Sequence, residues 1–155
     1  TRLASGVAII KVGAATEVEM IEKKHRVEDA LEAVKSARME GMVPGGGVAL
    51  IRASKGLEIN VENPEQQIGV DVVMSAIFEP LKKMAENAGE SPDIIVSMIV
   101  DEESENGYDF VRGEIVNMFE AGVIDPVKVT RCALQNAASA ASTLLTTNFA
   151  IVEVE

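Results

Sequence analysis

The chain has 155 residues, enough to bury a core without disulfides or a structural metal. Its 14 basic residues against 25 acidic ones leave a net charge of −11, which repels phosphate backbones and anionic lipid surfaces, so neither a nucleic-acid nor a membrane partner is expected. One cysteine, Cys132, and one histidine, His25, exclude an internal disulfide and leave no support for a clustered zinc site or a Cys-His nucleophile pair; the sequence reads as soluble and from a reducing compartment.

Aromatic residues are few and Trp is absent, while aliphatic side chains and seven Met dominate, which suits helices packed on helices. Met74, Met84, Met98 and Met118 read as gap fillers in such a core. In chain order, residues 6–12 are β-branched between glycines and predict a short strand. Residues 17–40 predict a helix about 35 Å long, with Val27, Leu31 and Val34 on one narrow apolar stripe and Gly41 as its C-terminal cap. Its other faces are densely charged, which fits a connector between bodies better than a core element. A glycine triplet, Gly45-Gly46-Gly47, follows, then a short helix over 48–54 and a loop over 55–63.

Asn63-Pro64-Glu65-Gln66 resembles a capping box with proline at the first helical position. The helix it opens holds its apolar period to Gly89, and Pro80 inside it predicts a kink. Ser91-Pro92-Asp93 starts a shorter helix. Residues 101–108 read as a polar surface loop, residues 114–120 as a short helix ending at Gly122, and Asp125-Pro126 as the start of a long helix with Asp125 as its N-cap. Residues 149–155 predict a terminal strand. Isolated terminal strands need partners, from each other or from another chain.

Several residues invite a chemical reading beside a plainer one. Asp29 is a carboxylate on the charged helix with His25 one turn earlier, and a solvated helix charge is the simpler account. The glycine triplet matches neither a dinucleotide fingerprint nor a P-loop; it is either a turn or a place where bare backbone approaches a ligand. Asp125 is explained by capping, without excluding a ligand, and Asp109 would pass as a loop residue.

Taken in order, Lys11-Val12-Gly13-Ala14-Ala15-Thr16-Glu17, Glu22-Lys23-Lys24-His25-Arg26-Val27-Glu28-Asp29-Ala30-Leu31, Gly45-Gly46-Gly47-Val48-Ala49-Leu50 and Asp125-Pro126-Val127-Lys128-Val129-Thr130-Arg131 closely resemble the group I chaperonins, the GroEL family. The likeness runs over essentially the whole chain. It implies a mainly α fold: the C-terminal half of the equatorial helical bundle, a long intermediate-domain helix and short terminal β-strands. Residues 1–6 would end the apical domain, 7–39 would form the descending part of the intermediate domain, and 40–155 would belong to the equatorial ATPase domain.

By this resemblance the parent is an ATP- and Mg²⁺-dependent chaperonin ATPase. Its subunits assemble with copies of themselves into a double heptameric ring, which encloses unfolded client proteins under a co-chaperonin lid. The expected location is the bacterial cytoplasm, with the mitochondrial matrix or a plastid as alternatives. Asp29 matches the catalytic aspartate. Gly45, Gly46 and Gly47 match the contact beside the nucleotide, Asp125 the ribose ligand, Val123 a pocket-lining residue, and Asp109, Phe110 and Val111 the stretch near the base. That last stretch departs from the bacterial pattern of Asn followed by two alanines, although Asp also occurs there in mitochondrial members. The family's Gly-Asp-Gly-Thr-Thr phosphate loop and its Mg²⁺-binding aspartate do not occur in these residues, so a complete phosphate or metal site is not expected in them and none is assigned a metal role. The altered stretch keeps a second reading open, a structural or interaction module from a divergent chaperonin without useful ATPase activity.

Overall fold

The computed structural model describes residues 6–152. The first helix, α1 (Glu17–Glu40), begins where Thr16 Oγ1 accepts from the Glu19 amide at 3.3 Å while Glu19 reaches back to the Ala15 amide at 3.2 Å. It ends at Gly41, whose φ of 88° turns the chain away and whose N–H donates to Ala37 O. No residue of α1 is buried. Along its length, Glu19–Lys23, Glu22–Arg26, Lys24–Glu28 and Glu32–Lys35 pair one turn apart, the local support a solvated helix uses.

The expected stripe on α1 is only partly realised. Val27 is half-buried, but Leu31 and Val34 are exposed, and the other half-buried positions are the small residues Ala33, Ser36 and Ala37. Small side chains let the C-terminal half of α1 lie close to β4 (Ile124–Pro126) and α7 (Val127–Leu145).

After Gly41, β1 (Met42–Pro44) pairs antiparallel with β4, placing Val43 opposite Asp125. The glycine triplet then leads into α2 (Val48–Ser54) as predicted. Asn63 Oδ1 accepts from the Gln66 amide at 2.9 Å to open α3 (Pro64–Ala76), and Gln66 returns to the Glu62 amide, one residue before the expected partner. The single kinked helix expected through Gly89 is two helices: α3 stops at Ala76 and α4 (Glu79–Ala88) restarts with Pro80 in its first turn. Proline lacks the N–H that would bond the Ala76 carbonyl and its ring crowds that carbonyl, so the backbone breaks a turn ahead of it. Then α5 (Pro92–Val100) starts after Ser91 as the sequence indicated.

Three expectations are overturned in the next stretch. Within the supposed surface loop, β2 (Asn106–Asp109) is a strand with Gly107, Tyr108 and Asp109 buried. Its partner β3 (Glu114–Asn117) occupies half of the supposed short helix, leaving only α6 (Met118–Ala121) before Gly122. Asp125 is a strand residue paired with Val43, and Pro126, which offers no capping side chain, stands at the start of α7. Each error has one origin: short strands with few apolar residues are set by their partners, not by local composition.

The terminal strands are also absent from the described residues. Residues 6–12 and 149–152 carry no strand pairing, and Val7, Ile9, Phe149 and Ile151 are exposed; residues 153–155 lie outside the described part. A strand without a partner has no ladder to hold it.

The core lies where α2, α4, α5 and β2 converge. Val48, Ile51, Leu81, Ala85, Ile95, Ile99 and Tyr108 form it, with Phe78, Val96, Phe110 and Ile115 packed around the edge. Fully burying a side chain such as Leu81 or Ile99 contributes roughly 1.5–3 kcal/mol. Arg52 ties these pieces together: its guanidinium donates to the Val100 and Asn106 carbonyls, joining α2 to the end of α5 and to β2.

Candidate functional site

The glycine triplet is where three segments of the chain meet, and each glycine has its own steric reason. Gly45 N–H donates to Val123 O at 2.9 Å, and a Cβ on Gly45 would stand only 3.0 Å from that same oxygen. Gly46 has φ 69°, and a Cβ there would lie 2.8 Å from Met118 Cε. Gly47 has φ 77°, and its Cβ would meet Met84 Cε at 2.7 Å and the Leu81 backbone at 3.0–3.2 Å. Positive φ and closeness to backbone both demand glycine. The groups that approach the bare backbone of the triplet are the chain's own Val123, Met118 and Leu81.

This packing brings most of the candidate residues into one junction. Val123 touches Gly45, Asp125 lies two residues on and opposite Val43, and the Tyr108 carbonyl, next to Asp109, is near Gly46. Met118 is the hub. Fully buried, it sits beneath Gly46 and Gly107, takes the Val123 amide on its carbonyl and gives its own N–H to Glu105 O. Sequence reasoning had made it an anonymous core filler. The signal was available in Gly107, a glycine inside a strand, which often marks close packing by another group.

Asp125 is half-buried, and among the described residues its carboxylate has no hydrogen bond or ion pair. Burial pushes its carboxyl above the usual carboxylate range. A group left under-solvated without a partner is available to accept hydrogen bonds from a ligand. It borders an apolar cavity of about 260 Å³ between α1 and β4, lined also by Ala30, Ala37, Met42 and Ile124.

Asp109 has a different fate. Its Oδ1 accepts from the Val111 and Arg112 amides at 2.9 and 3.3 Å, its Oδ2 faces Arg112 Nε at 3.4 Å, and the residue is 8% exposed. Phe110 packs against the core edge, edge-on to Tyr108 with ring centres 5.0 Å apart, whereas Val111 at the hairpin tip is 96% exposed.

Asp29 stands outside the junction. It is exposed on α1, one residue before Ala30 of the cavity lining, and among the described residues it forms no bond to His25. Nothing on α1 near it is buried, so its position relative to the junction depends on the contacts at the far end of the helix: the Val127 amide on Gly41 O at 3.1 Å and the two-pronged Arg131–Glu40 pair at 2.6 and 3.0 Å. The hydrogen bond from Arg131 holds the Glu40 carboxyl below the usual range.

A family model for the TCP-1/cpn60 chaperonin family matches residues 2–155, which includes α1, the glycine junction and α7. Chaperonins of this kind are ATP- and Mg²⁺-using ATPases that assemble into rings and act on client proteins. The chain belongs to the TCP-1/cpn60 chaperonin family.

Proposed function

We propose that this chain is the C-terminal part of a group I chaperonin subunit, with an intermediate-domain arm over residues 7–39 and an equatorial segment over 40–155. In this reading Gly45 to Gly47, Val123 and Asp125 line the ribose side of the ATP pocket, and Asp109 to Val111 its base side. A co-chaperonin lid and a bacterial cytoplasmic or organellar location go with the group I reading.

The observation that carries the proposal is Asp125: a half-buried carboxylate without a partner among the described residues, one strand pairing away from the segment that enters the glycine triplet. Ribose hydroxyls would satisfy it as donors, and its desolvation strengthens each such bond. Asp29 then acts as a carboxylate brought to the nucleotide by movement of α1, where it orients the attacking water and accepts its proton. An arm with no buried residue, held within itself by local ion pairs and tied to the rest at its C-terminal end by the Arg131–Glu40 pair, can move without dismantling a core. Mg²⁺, when bound, neutralises phosphate charge. Among the described residues no three His, Cys, Asp or Glu side chains gather to hold a cation, and none is assigned to it.

Calorimetric titration of the intact subunit with MgATP tests the ribose contact. Asp125→Ala is expected to weaken binding about 10- to 100-fold, the loss of hydrogen bonds to a charged group. Unchanged affinity would remove Asp125 from the pocket. The second reading, a chaperonin segment without useful ATPase, is favoured by the use of the Asp109 carboxylate within its own turn, and absence of MgATP binding in the intact protein would support it.

A further inference from the structure

Met118 closes a circuit of short contacts around the glycine triplet. Gly45 N–H donates to Val123 O at 2.9 Å, Val123 N–H donates to Met118 O at 2.9 Å, and the Met118 side chain returns to the triplet, its Cε standing 2.8 Å from where a Cβ on Gly46 would be. Met118 is also held from behind. Its N–H donates to Glu105 O at 2.9 Å, and its Cγ and Sδ lie 2.8 Å from where a Cβ on Gly107 would be, so β2 leaves it no room to withdraw. The side chain is fully buried and shapes the junction from beneath.

We infer that Met118 is a positioning residue that sets the spacing between Gly46 and Asp125. This rests on the reading of the triplet and Asp125 as the ribose side of the nucleotide pocket. The Met118 carbonyl holds the amide of Val123, two residues before Asp125, while its side chain supports Gly46, so one residue controls both sides of the gap. The β1–β4 pairing does not do this alone, because it ends at Pro44, short of Gly46. Groups that bind a ligand by hydrogen bonds have to be held within about 0.5 Å of their productive geometry. Met is long and adaptable enough to fill the irregular gap between Gly46 and Gly107; a shorter side chain leaves a void into which the turn can settle, away from Asp125.

The experiment measures, by calorimetry on the intact subunit, the affinities for the Mg²⁺ complexes of ATP, 2′-deoxy-ATP and 3′-deoxy-ATP. The parent should prefer ATP by about tenfold or more over at least one deoxynucleotide, and Asp125→Ala should remove most of that preference. Met118→Ala should cut the preference by about threefold or more. A side chain that only held the core together would weaken all three nucleotides by one factor and leave their ratios unchanged, because the unfolded fraction binds none of them. A folded Met118→Ala whose ratios change by less than that overturns the inference and leaves Asp125 in the pocket. If the parent shows no preference, or Asp125→Ala keeps it, the ribose reading fails and the inference fails with it. Should Met118→Ala not fold, Met118→Leu decides: close to Met in volume but lacking Cε, it should fold and still cut the preference by about threefold or more, and a smaller change overturns the inference.

Discussion

The glycine junction and the helix α1 are built on opposite principles. At the junction, fully buried Met118, Leu81 and Val48 lock three chain segments together, and a methyl group added at Gly47 would strike backbone. In α1 no residue is buried, and the helix is held by ion pairs within itself and by contacts near its C-terminal end. A binding wall gains from rigidity because little ordering remains to be done when the ligand arrives. A catalytic carboxylate needed at only one step gains from an arm that can swing. On the proposed function, this contrast accounts for Asp125 being embedded beside the glycines and Asp29 standing alone.

The sharpest way to break the contrast is at Asp29. In the intact subunit, Asp29→Ala should slow ATP hydrolysis on the order of 10²- to 10³-fold in single-turnover assays, the range of a lost general base. Next in size is Gly47→Ala. Strain at positive φ together with the clash against Leu81 should lower unfolding stability by roughly 2–4 kcal/mol, read from the denaturant midpoint, while Gly41→Ala, with open space at its Cβ, should lose less.

Asp125→Asn should act in two directions. It weakens nucleotide binding, yet it should raise stability of the nucleotide-free protein at neutral pH. Because burial raises the folded pKa, the native state binds the proton more tightly than the unfolded chain; stability then falls as pH rises from the ordinary carboxylate value of 3.8 through the folded value. Asp125→Asn should flatten that slope in a melting series across pH. The smallest effect is expected at Glu40→Gln. The Glu40 carboxyl is lowered by Arg131, so the contribution of the pair is present above the unfolded pKa and is lost as pH falls through the folded one. An unaltered melting profile in acid would show that the pair does not hold α1.

How much of this was legible in the sequence follows the same divide. Helix ends with their own local signals, Gly41 after α1, Asn63 and Pro64 at α3, Gly89 after α4, stand where they were expected, because caps act within one turn. The short strands β2, β3 and β4 were missed because their conformation depends on distant partners: Asn106–Asp109 is polar enough to pass for a loop until it meets Glu114–Asn117. The glycine triplet read as either a turn or a place where a ligand meets bare backbone, and nothing local to it showed that Val123, Met118 and Leu81 are the groups packed against it. Conversely, capping made Asp125 look explained, and its pairing with Val43 removes that explanation and leaves its carboxylate available.

The central claim is that binding and hydrolysis are divided between the rigid junction and the movable arm. Its most direct test is a side-by-side measurement of MgATP dissociation constant and turnover for Asp29→Ala and Asp125→Ala in the intact subunit. The account predicts that Asp29→Ala keeps the parent's affinity and loses turnover, while Asp125→Ala loses affinity. Parental turnover in Asp29→Ala, or a loss of affinity in it equal to that of Asp125→Ala, would contradict the division.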